Sequence, residues 1–282
     1  MMNFMLISEF KNGRSDVKPL FITVDAETEV ISEGVEVISK TRDSIEIISG
    51  VRLPITWFVR LQRSWPDSVN NDDPAFFELP LKDYFDGFAL AKKQLLALCQ
   101  RGDEVAWHYH ASNYVYRNDL SHDLRMEILK ADLRACFRTI TEMHPEFEVI
   151  GFRFGWFFVP DYEVYETLYE IGVRYDASVD PIRDGKNVAV FKSTYPPSIT
   201  REIHRMGNMI VFPRIHTYHT HDWTVVPHEF NWHSFSPEEA EQHRFRLEGR
   251  LRRMAADCNA DVSCVVYKDY LKQRPISRSP FE

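Results

Sequence analysis

The chain has 282 residues, 44% of them apolar and 27% charged, and a net charge of -8. That length is enough to bury a sizeable core, in one large α/β domain or two small ones. The acidic balance, with no clustering of Lys and Arg, argues against a nucleic-acid surface, and no run approaches the ~20 apolar residues that a membrane helix needs.

Residues 1–20 hold no apolar core of signal-peptide length, so a cytoplasmic protein is expected. Cys99, Cys136, Cys258 and Cys264 are scattered and lack C-x-x-C spacing, and they read as free packing thiols. Phe21 to Val24 is an apolar, β-branched run that predicts a buried strand, which turns acidic at Asp25 and Glu27. Residues two apart on an extended chain share a face, so these two carboxylates meet in one space and call for a cation between them. A polar connection follows, then a helix over Arg42–Ser49 ending at Gly50, a strand over Ile55–Val59, and a long Asp-, Asn- and Pro-rich loop from Gln62 to Pro80.

Leu81–Gln100 has helical spacing of apolar residues, and Glu104–His108 reads as a third strand running into Tyr109 and His110. Ser121 is placed to cap a helix extending to Met143. Val149–Phe154 is the fourth strand, Asp161–Ile171 a short helix, Arg174–Ser178 a fifth strand and Met209–Phe212 a sixth, with the stretch before the sixth unassigned. Glu229–His233 predicts a seventh strand. Ser236-Pro237-Glu238-Glu239 carries the capping box of a helix to Ala256, and Val262–Tyr267 a last strand. Strand and helix alternate with no linker, which predicts one α/β domain on a parallel sheet, open or closed.

In either form polar residues gather at the C-terminal strand ends, where Asp25, Glu27, His108, His110, Arg153, Asp176 and His233 fall. His108 and His110, two apart, form either a pair of metal ligands with one of the carboxylates or a solvated surface pair. Arg153, within an apolar strand, requires an anion such as Asp25 or an aromatic face such as Trp156 or Phe157. Asp176 either orients a partner or serves as a turn residue. His216, His219 and His221 read as solvated loop histidines, whereas His233 ends a strand ahead of a capped helix.

With these residues in order, the chain resembles the polysaccharide deacetylase family (carbohydrate esterase family 4, the NodB-homology domain) over about residues 19–270. Thr23-Val24-Asp25-Ala26-Glu27 is similar to its first motif, Thr-Phe-Asp-Asp-Gly, in the variant form that places the ligand one position later. Gly102–His108 is similar to the second motif. The family's second histidine falls on Ser112 here, so that role passes to His110. Arg153-Phe154-Gly155 is similar to Arg-x-Pro without its Pro, Tyr175–Ser178 to the fourth motif, and Trp232-His233 to the fifth, with His216 as rival.

The resemblance implies a single catalytic domain over 1–282, a distorted (β/α) barrel of about seven parallel strands. It implies a divalent metal, Zn2+, held by Glu27, His108 and His110. Asp25 becomes the base, Arg153 its orienting partner, His233 the acid and Asp176 the residue that tunes it. Trp107, Tyr109, Trp156 and Trp232 become candidate sugar platforms. The implied reaction is deacetylation of an acetylated sugar, carried on a nucleotide or lipid, in bacterial surface polysaccharide or O-antigen synthesis. Two rivals are an amidohydrolase acting on a non-sugar amide or ureide, and a carbohydrate-binding barrel without catalysis, the latter favoured by Ala26 and Ser112.

Overall fold

The computed structural model describes residues 5–6, 18–64, 74, 79, 81–111, 119–155, 163–179, 203–213, 217–219, 236–259 and 262–273. In chain order the described elements are β1 (Met5–Leu6), β2 (Lys18–Leu20), β3 (Ile22–Ala26), α1 (Ile31–Ser49), β4 (Ile55–Arg63), β5 (Tyr84–Asp86), α2 (Gly87–Leu90), α3 (Lys92–Gln100) and β6 (Glu104–Tyr109). They continue as α4 (His122–Met143), β7 (Gly151–Phe154), α5 (Val164–Glu170), β8 (Tyr175–Val179), β9 (His204–Met206), β10 (Met209–Pro213), β11 (Thr217–His219), α6 (Pro237–Asp257), β12 (Val262–Cys264) and α7 (Tyr267–Gln273).

The fold is mixed α/β, with strands in the hydrogen-bonded order β1-β9-β10-β8-β7-β6-β4-β3-β11, β5 added on β4, and a separate β12-β2 pair. β6 pairs in parallel with β7, β7 with β8 and β8 with β10, as β11 does with β3, while β9 pairs antiparallel with β10 and with β1. The order has two ends, β1 and β11, so the described strands form an open series and a closed barrel is not shown. No described helix is long and apolar enough to cross a membrane.

Contacts divide the chain into two compact units, residues 1–12, 58–89 and 106–214 in one and 13–57, 90–105 and 215–282 in the other. In the first, α4 begins where Ser121 Oγ accepts the Leu124 N–H at 3.2 Å, and it buries Met126, Leu129, Leu133, Phe137 and Ile140 on one stripe. Such burial is worth about 1.5–3 kcal/mol for each large apolar side chain. The predicted helix over Leu81–Gln100 is interrupted, because Tyr84–Asp86 pairs with Leu61–Arg63 and only then does the chain turn helical.

In the second unit α1 starts at Ile31, eleven residues before the predicted start. Its buried stripe is Ile31, Val35, Ile38, Arg42 and Ile45, and the arginine inside that stripe hides the helical period. Arg42 is accommodated by Asp103, whose carboxylate also takes Trp57 Nε1 at 3.0 Å and the Ile55 N–H at 3.2 Å. α1 ends as predicted at Gly50, in the left-handed region at φ 70°, with its N–H on Glu46 O. The capping box of α6 is formed by Ser236 and Glu239. The last strand stops at Cys264, and α7 replaces its predicted end.

Candidate metal centre

The side chains of β6 alternate, and that alternation sorts the candidate residues into two groups. Trp107 and Tyr109 leave on one face and are fully buried. Trp107 Nε1 donates to Leu61 O at 2.8 Å, and its ring meets Phe152 edge-on. Tyr109 Oη donates to Asp132 Oδ2 of α4 at 2.7 Å, while Asp132 Oδ1 accepts Arg63 Nε at 2.9 Å. These two aromatics are therefore core residues rather than sugar platforms, a correction that follows from strand period: a face shared with Asp132 is not the face of His108.

His108 and His110 leave on the other face. His108 is 1% exposed, and its Nδ1 lies 3.2 Å from Arg153 O. A carbonyl only accepts, so Nδ1 carries the hydrogen and Nε2 presents its lone pair. His110, just past the strand end, is anchored by its N–H on Gln62 Oε1 at 3.1 Å. Its Nε2 stands 3.0 Å from His108 Nε2, with the rings at 89° to each other.

Glu27 follows β3 and is 7% exposed. One carboxylate oxygen of Glu27 and one ring nitrogen from each of His108 and His110 all lie within 4.8 Å of one another. Two imidazoles and a carboxylate are a zinc donor set, and Zn–N bonds of ~2.0–2.1 Å at a tetrahedral ion put two nitrogens ~3.3 Å apart. The spacing of the histidine nitrogens is within a few tenths of an ångström of that. The residues present fit a divalent cation.

Asp25 lies near the end of β3 and is 1% exposed. β11 pairs with that strand in parallel, with Thr217, Tyr218 and His219 in register with Thr23, Val24 and Asp25. The segment read as a histidine-bearing loop is thus in part a strand. Thr28, directly after Glu27, has φ 80°. A β-branched residue in the left-handed region costs on the order of 1–3 kcal/mol, and such strain clusters at functional sites.

Arg153 is fully buried, its Nε donates to Ala177 O at 3.0 Å, and its guanidinium lies 3.8 Å over the Phe58 ring. Phe58 on β4 thus gives this cation an aromatic face, though not from Trp156 or Phe157, which lie outside the described residues. Asp176 is fully buried and accepts from Tyr165 Oη at 2.9 Å, from the Ser178 N–H at 3.2 Å and from Ser178 Oγ. Burial nevertheless pushes its carboxyl up to about 6, outweighing these bonds and the charge of Arg153. Ser112, Trp156, His216, Trp232 and His233 lie outside the described residues.

Sequence reasoning missed Gln62, Phe58 and Gly155 as parts of this site. Gln62 stands at the start of the predicted loop, although β4 extends to Arg63. Gly155 stands where the resemblance expects a proline, and an isolated glycine beside a strand signals close approach of a neighbour. A comparison with protein-family models finds no match for the chain, and a comparison with curated proteins finds none either.

Proposed function

We propose that the protein is a metal-dependent hydrolase that removes the acetyl group from the nitrogen of an acetylated sugar, with an O-acetyl ester as the second choice. The observation that carries this reading is the convergence of Glu27, His108 and His110, all lone-pair donors, within 4.8 Å. Glu27, His108 and His110 would hold the ion, which supplies Lewis acidity to the substrate carbonyl and to a coordinated water when bound.

Asp25 acts as general base and takes a proton from the water that attacks the carbonyl carbon. The C–N bond then breaks, and His233 gives a proton to the departing amine. One water is consumed, and one acetate and one amine are released. The positive charge of Arg153 favours the ionised form of Asp25, and Asp176 supports the protonated form of His233. The substrate class is a sugar on a nucleotide or lipid carrier, and the setting is cytoplasmic synthesis of a bacterial surface polysaccharide.

The test is acetate release from a panel of N-acetylated sugar nucleotides and small cyclic amides. Asp25→Asn should lower turnover by ~10²–10⁴-fold while bound metal stays near the wild-type level. Glu27→Gln should lose the metal. Equal metal loss in both variants contradicts this division of roles, and turnover of the cyclic amides alone moves the substrate to the ureide class.

A further inference from the structure

Gly155 follows β7, and the ring of His110 occupies the space where its side chain would be. A Cβ built on Gly155 would lie 2.5 Å from His110 Cδ2 and 2.6 Å from both Cγ and Nε2. Carbon atoms in contact stand ~3.5–4.0 Å apart, so a methyl group there and this ring position exclude one another. The backbone is held on both sides of the contact. β7 is held in parallel register with β6, pairing His108 with Arg153 and Tyr109 with Phe154, and the His110 N–H is tied to Gln62. The imidazole is the part left to move.

We infer that Gly155 is a positioning residue for the metal centre, because only the absence of a side chain at 155 lets His110 stand with its Nε2 beside that of His108. Three supports converge on the histidine pair. The Arg153 carbonyl fixes the His108 tautomer, Gln62 fixes the His110 backbone, and Gly155 leaves the volume into which the His110 ring turns. Arg153 and Gly155 are two apart on one segment, so β7 serves both histidines at once. The inference rests on the reading of His110 as a metal ligand, and it concerns a residue that touches the ligand rather than the ion.

The experiment measures zinc affinity by chelator competition and the visible absorption of the Co2+-loaded protein, for wild type, Gly155→Ala, His110→Ala and the double variant. Gly155→Ala should weaken zinc binding by about 10–100-fold and change the Co2+ spectrum. In the His110→Ala background the added Gly155→Ala should change affinity by less than about twofold, since the ring it displaces is gone. Without metal, the imidazole NMR signals of His110 should shift in Gly155→Ala. A wild type that binds neither ion sinks the metal reading itself. Metal binding and spectrum unchanged by Gly155→Ala, or an equal loss with and without His110, overturns the positioning role alone.

Discussion

The two ends of β6 carry the same kind of cargo, buried and half-buried polar side chains, and use it differently. At the start, Asp103 meets Arg42, Trp57 and the Ile55 amide, and Glu104 takes the Thr56 hydroxyl at 3.0 Å and the Lys268 N–H at 3.1 Å. Each carboxylate faces donors, and Asp103 faces an opposite charge. At the far end His108 and His110 face each other and share their neighbourhood with Glu27. Donors of lone pairs collect there, an arrangement that a cation stabilises. Burial of polar groups does not itself mark a site; the chemical kind of the partners does.

The structural end should break first in stability measurements. Arg42→Met leaves Asp103 charged and buried without its cation, which should cost about 3–5 kcal/mol in denaturant unfolding. The same variant should bind metal normally once folded, and a matching loss of affinity would erase the contrast between the two ends.

Asp176 offers a second, pH-dependent test. Its folded value of about 6 lies above the ordinary 3.8, so its favourable contribution is fully present below about pH 4 and is lost as pH rises through 6. The difference of ~2 units corresponds to about 3 kcal/mol. Wild type should therefore lose about that much stability between pH 4 and 7 relative to Asp176→Asn. Parallel stability curves for the two proteins would place the Asp176 carboxyl in an ordinary environment. The smallest effect expected is at the α4 cap, where Ser121→Ala removes the bond to the Leu124 N–H and should cost ~1 kcal/mol with metal affinity unchanged.

Strand and helix existence was readable wherever one physical signal dominated. α4 and α6 carried clear cap signals, and both stand where the sequence placed them. α1 was truncated because Arg42 interrupts its apolar stripe, and only the distant Asp103 makes that arginine a core residue. β11 escaped notice because three residues beside β3 gain their strand character from pairing rather than from composition. At the site, period 2 correctly joined His108 to His110, and the same period should have separated both from Trp107 and Tyr109. The size of the residue at 155 could be read, but not the reason for it, since that lies in a ring forty-five positions away along the chain.

Metal stoichiometry by elemental analysis, on wild type and on Glu27→Ala after zinc loading and desalting, tests the central claim most directly. About one ion per chain in wild type, lost in the variant, is the expected result. A wild type that retains no metal, or a Glu27→Ala protein that retains as much as wild type, would contradict a centre built from Glu27, His108 and His110.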